Sequence, residues 1–170
     1  MKVIICGSRE FNDSNFLNEH CLEIISREQY KAEIALKDIE IVSGNNPKGA
    51  DYLGEKFAKQ YNISLKLFPP DWTNQNPKRP DNWGSGSLCV WKPDYYGGYN
   101  ALAGYIRNQE MANHAIGGIC IVFDADSKSG SSGTRDMIRR AKKAWMKLYH
   151  VKCHDLGNVE IKVYNEGLQK

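Results

Sequence analysis

The sequence predicts an α/β fold, a doubly wound, mainly parallel sheet with helices on both faces. Short runs rich in Val, Ile and Leu recur along the chain, and longer stretches with apolar residues at helical spacing separate them. The two kinds alternate, and 170 residues suffice for one domain with a real core.

The strand runs are expected at residues 2–6, 40–43, 64–68, 118–123 and 159–164. They lack clean polar alternation, as strands covered on both faces do. The first helical stripe is Leu17, Cys21, Ile24 and Glu28, widened by Ile25. Ala50, Leu53, Phe57 and Tyr61 mark the second, and Ile138, Ala141, Trp145 and Leu148 mark another. A weaker helix is expected over 103–115.

Residues 69–99 break this rhythm. They hold five of the six prolines, three of the four tryptophans, and Tyr95, Tyr96 and Tyr99. So many aromatics argue against disorder. A segment of this length inside a domain reads as a lid or a subunit contact, and self-association into a homo-oligomer is expected.

No apolar run approaches the ~20 residues of a membrane span. The run after Lys2 is too short for a secretory signal, so a cytoplasmic protein with no membrane partner is expected. Cys6, Cys21, Cys89, Cys120 and Cys153 form no CxxC pattern. They read as reduced thiols, and no metal site is expected, because Cys153-His154 has no visible partner ligands. No cofactor is implied either. Arg135, Arg139, Arg140, Lys142, Lys143 and Lys147 stand against Asp136 alone, whereas the chain's net charge is +3. This basic stretch is either a solvated helix face or a surface for a compact anion or a nucleic acid backbone.

Ligands of open parallel sheets bind beyond the carboxyl ends of the strands. Three junctions there have suitable chemistry: CGSREF at 6–11, SGNNPKGAD at 43–51 and DADSKSGSSGTRDM at 124–137. Their glycines let backbone N–H groups approach a phosphate, and a helix start adds unpaired donors. Ser131, Ser132, Gly133 and Thr134 offer hydroxyls and amides ahead of the basic stretch. Asp51 is either a helix-dipole partner or a group that bonds a ribose hydroxyl or acts as acid and base. In AGYIRNQEM at 103–111, Arg107 suits a two-pronged bond to phosphate and Asn108 an amide edge or sugar hydroxyl. Glu110 reads as a solvated helix residue.

CGSREF, GADYLGEKFA at 49–58, DW at 71–72, AGYIRNQEM and SGTRDMI at 132–138 occur together and in this order. The combination resembles the YspA-like branch of the SLOG superfamily, which also holds the Lonely Guy phosphoribohydrolases and the Rossmann-like domain of DprA. The resemblance implies a Rossmann-like fold that binds a nucleotide or nucleotide-derived molecule, with relatives in nucleotide signalling and phage–host conflict. It implies that Gly7, Ser8 and Arg9 line the first strand end. Gly49 and Asp51 would form the second, Arg107 and Asn108 the helix that reaches the ligand, and Gly133 and Thr134 the phosphate turn; Gly44 and Ser132, in the same junctions, are further ligand-binding candidates. Two features depart from the family. Met137 stands where the hydrolases carry the glutamate of their GTxxE pattern, with Asp136 one position away, a rotation of about 100° on a helix. Residues 73–102 look like an insertion in a single SLOG-like domain over 1–170.

Three readings follow. The first is a non-hydrolysing binder of a nucleotide-derived small molecule, a sensor, carrier or sequestering protein. The second is an N-glycosidase or phosphoribohydrolase using Asp51 or Glu110 as its carboxylate. The third is a DprA-like binder of single-stranded nucleic acid through the basic stretch and aromatics.

Overall fold

The computed structural model describes residues 1–74, 91–92, 99–124, 131–153 and 159–164. In chain order the elements are β1 (Lys2–Gly7), α1 (Ser14–Ala32), β2 (Glu40–Ser43), α2 (Ala50–Gln60), β3 (Ser64–Leu67), β4 (Trp91–Lys92), β5 (Tyr99–Asn100), α3 (Ala103–His114), β6 (Ile119–Asp124), α4 (Ser132–Lys143), β7 (Lys147–Cys153) and β8 (Val159–Tyr164).

Six strands form one sheet in the order β3-β2-β1-β6-β7-β8, parallel except for the last pair. The chain builds outward from β1 to β3, then re-enters on the other side of β1 as β6. Strand order therefore reverses between β1 and β6, and a crevice opens beyond their carboxyl ends.

Alternation along β1 and β6 feeds two cores. Val3, Ile5, Ile121 and Phe123 pack with Leu17 and Ile24 of α1 and Phe57 of α2. Ile4, Cys6, Cys120 and Val122 pack with Met111 of α3 and Met137 and Ala141 of α4. Both faces are thus covered, which is why VIIC in β1 and the wholly buried β6 carry no polar alternation. The doubly wound, Rossmann-like α/β expectation is met.

Three expectations of detail need correction. The stripe read as helical through Leu148 stops at Lys143, where Trp145 takes φ +56° and the Met146 amide donates to the Ala141 carbonyl at 3.0 Å. Leu148 belongs to β7, a strand absent from the sequence reading. β3 and β8 lie at the sheet's edges and are partly exposed, not covered on both faces. The basic stretch is also divided: Lys147 sits in β7 and bonds both carboxylate oxygens of Glu28 at 3.1 Å, while Arg140 is 3% exposed and bonds Asp136 at 2.8 Å. A continuous cationic stripe does not form.

Most of the proposed insertion lies outside the described residues, as do Cys89, the Cys153 side chain, His154 and residues 125–130. Its ends are described and meet. The Asn100 amide donates to the Trp72 carbonyl at 2.7 Å, and β4 pairs antiparallel with β5. No described helix is long and apolar enough to cross a membrane.

Candidate functional site

The three glycine-bearing junctions meet at the switch point. At Gly7 the chain leaves β1 so close to β6 that a Cβ would lie 1.9 Å from the Phe123 carbonyl oxygen. Glycine is required there by contact alone. The Ser8 amide then donates to that same carbonyl at 2.9 Å. Gly49 begins α2 at φ +79°, a backbone that strains any Cβ-bearing residue, and a Cβ would also approach the Ser8 carbonyl oxygen to 2.4 Å. Its place is fixed by the Ala50 amide, which donates to the Ser8 carbonyl at 3.1 Å.

The third junction is tied to the first from above. Ser131 caps α4 by accepting from the Thr134 amide at 3.2 Å, and the Thr134 hydroxyl donates to the Gly7 carbonyl at 3.1 Å. Asn108 of α3 donates to the Gly133 carbonyl at 3.1 Å and to Asp136 at 3.0 Å. The Gly7 and Gly133 loops thus open into one shared space.

That space has two levels. An outer cleft of about 700 Å³ is lined by the polar residues Arg9, Lys48, Arg107 and Ser131–Gly133 and by the apolar surface of Pro69, Pro70, Trp72, Gly104 and Tyr105. A small inner crevice of about 50 Å³ is lined by Gly7, Asp51, Arg107, Asn108, Thr134 and Met137, among others. The first amides of α4 have no intrahelical acceptors, so Ser132 and Gly133 bring donors and a partial positive charge to the cleft.

Arg107 joins the levels. Its Nη1 donates to the Gly44 carbonyl and lies 3.6 Å from the Asp51 carboxylate, and its Nε donates to Asn108 at 3.0 Å. Gly44 has no room for a side chain because a Cβ would fall on this guanidinium. Burial pushes the Asp51 carboxyl up to about 6; Arg107 opposes the shift and Glu55 adds to it. Ser43 holds Glu55 in turn, donating to it at 2.8 Å.

Of the residues singled out in the sequence, Arg9, Gly44, Arg107, Ser132 and Gly133 line the outer cleft, and Gly7, Asp51, Asn108 and Thr134 line the crevice. Ser8 and Gly49 shape the junction without lining either space. Glu110 is exposed on α3 and lines neither. Asp136 is also turned away, its carboxylate held by Asn108, Arg139 and Arg140, while buried Met137 faces the crevice. Asn46, Lys48 and Tyr105 were not singled out but line the cleft. The Asn-Asn-Pro sequence was the available signal, since Asn tolerates the φ of +53° found at Asn45.

The raised Asp51 carboxyl has a measurable consequence. In the native state it keeps a proton that the unfolded chain releases near pH 4, so between pH 4 and 6 this group makes the protein less stable as pH rises. Its favourable contribution is complete only below about pH 4. Asp51→Asn removes the titration and should be more stable than wild type at pH 7, by up to about 3 kcal/mol. The difference should shrink toward zero at pH 4, as read by denaturant unfolding at both pH values. A variant no more stable at pH 7 would show that Arg107 fully compensates the ionised carboxylate.

The fold and its cleft define a Rossmann-like α/β domain with a polar crevice at the switch point. Residues 1–74 match the family model described as YspA, cpYpsA-related SLOG family (YAcAr), which supports the YspA-like SLOG branch over β1–β3 and the first two junctions. That family suggests binding or processing of nucleotide-related molecules in general. No curated protein matches the chain.

Proposed function

We propose that the protein binds a nucleotide-derived small molecule in the cleft and does not hydrolyse it, acting as a sensor, carrier or sequestering protein. The observation that carries this reading is the composition of the two levels. Cations and the start of α4 line the outer cleft together with aromatic and proline surface, and Met137 lines the crevice at the position where the resemblance implies a glutamate in the superfamily's hydrolases. Phosphate fits the first surface and a planar base the second.

A second reading has one observation in its favour. Asp51 lies in the crevice, 3.6 Å from Arg107, with its carboxyl raised to about 6, a value suited to acid–base work near neutrality. It would serve an N-glycosidase.

Thermal shift against a panel of nucleoside mono- and diphosphates, cyclic nucleotides and dinucleotides, with parallel measurement of released base and ribose phosphate, separates the two. A saturating ligand should raise Tm by about 5–10 °C without turnover. Release of base that disappears in Asp51→Asn would establish the hydrolase instead. Neither shift nor release across the panel would sink both.

A further inference from the structure

We propose that a groove at the opposite edge of the sheet, between the C-terminal ends of α3 and α4, docks an acidic peptide segment of another protein. An apolar side chain of that segment would seat against Trp145 and Ile116.

Trp145 occupies the position after a helix end where the backbone turns left-handed. Its φ is +56°, the Trp145 amide donates to the Lys142 carbonyl at 3.3 Å, and the Met146 amide donates to the Ala141 carbonyl at 3.0 Å. Glycine is the usual residue at such a site, because a side chain there is strained. This tryptophan gains little packing in return, since it is 64% exposed. Beside it Ile116 is 66% exposed, and the two turns are joined by the Gly117 amide donating to the Ala144 carbonyl at 3.0 Å. A strained backbone that presents a large apolar side chain to solvent, next to a second one, marks a contact surface.

The rim chooses the partner. The groove holds about 300 Å³ and is lined by Arg139, Arg140 and Lys143, with Gln109 and Asn113, and by no carboxylate among the described residues. Asp136 engages both Arg139 and Arg140, and Arg140 also donates to Gln109, which holds the two guanidiniums in place along the groove. Arg139, Arg140 and Lys143 together outnumber the one carboxylate of Asp136, and an incoming carboxylate at the exposed Arg139 and Lys143 balances that surplus of positive charge. A second copy across a two-fold axis would set these cations against themselves. A nucleic acid backbone asks for a run of cations, and the continuous stripe does not form here. Acidic residues flanking one apolar side chain match both the charge and the small volume.

The test is selection of displayed random peptides of about a dozen residues on the full chain, with counter-selection on Trp145→Gly. Enriched peptides should carry Asp or Glu around a Leu, Phe or Trp. Made synthetically, they should bind wild type, weaken with salt, and lose about tenfold or more in affinity to Trp145→Gly and to Lys143→Glu. Trp145→Gly should meanwhile raise Tm by about 2–4 °C, because glycine suits the left-handed turn. A fall in Tm would make Trp145 a packing element and overturn the proposal. So would enrichment that is not acidic, or peptides that bind the variants as well as wild type. Two further outcomes would also overturn it: a wild-type dimer that Trp145→Gly renders monomeric, and binding of a single-stranded oligonucleotide that the same variant abolishes.

Discussion

Arg107→Ala should weaken binding of whichever nucleotide stabilises the wild-type protein by about 2–5 kcal/mol, while leaving the sheet folded. The guanidinium lines both the outer cleft and the crevice, so a ligand spanning them meets it. Its internal bonds use Nε and Nη1, which fix the plane of the fork before any ligand arrives. Preorganisation of this kind limits the entropy lost on binding. The cores on the two faces of the sheet do not include Arg107, so its removal spares the packing that drives folding. It does leave Asp51 without its nearby cation, and that carboxyl then titrates higher still. Calorimetric titration and unfolding of the same variant measure the two effects separately. Arg107→Lys should fall between, since an ammonium keeps the charge and loses the planar fork. Affinity unchanged in Arg107→Ala would reduce this residue to a brace for the Gly44 loop.

What the sequence revealed and concealed divides along physical lines. β1 and β6 were legible because a strand buried on both faces must be apolar at nearly every position. β7 was not, because Lys147, His150 and Lys152 interrupt its apolar residues. Two of these polar groups are satisfied from far along the chain: Lys147 by Glu28 of α1, and His150 by Asp124 of β6 at 2.7 Å. Burial of a charged group depends on its partner, and a partner 119 residues away for Lys147, or 26 for His150, leaves no periodic mark. In the site, Gly7 and Gly49 could be picked out because close backbone approach admits only glycine. Asn46, Lys48 and Tyr105 could not, since one polar or aromatic residue in a loop or helix carries no pattern until the fold brings it to a cavity. Arg107 was found as a phosphate binder by residue type, yet its bond to the Gly44 carbonyl, which ties α3 to the end of β2, is a purely tertiary fact.

Replacing residues 74–99 with a brief Gly/Ser linker should give a folded protein that loses ligand affinity, self-association, or both. The two ends of the segment are already held together without it. Beyond the bond from the Asn100 amide to Trp72, the Asn100 side chain donates to the Asp71 carbonyl at 3.4 Å and accepts from the Leu102 amide at 2.9 Å. Asn100 is 1% exposed and its bond with the Leu102 amide is buried, where a hydrogen bond is costly to break. A short linker therefore spans a gap that is already closed, and shortening a loop lowers its closure entropy cost. No strand of the six-stranded sheet lies within the excised residues. The site is where the change should tell. Pro69, Pro70 and Trp72 precede the excised segment on the wall of the outer cleft, and Ala101 and Gly104 follow it on the same wall. A segment anchored at both ends beside a cleft is placed to cover it, or to cover the cleft of a neighbouring subunit, and its prolines reduce the entropy of holding one conformation. Circular dichroism and thermal unfolding report the fold, calorimetry the affinity, and sedimentation the assembly. Failure to fold would assign the segment to the core. Wild-type affinity and wild-type assembly together would leave it a passive loop, and the apolar wall formed by Trp72 and Tyr105 would then have to hold the base unaided.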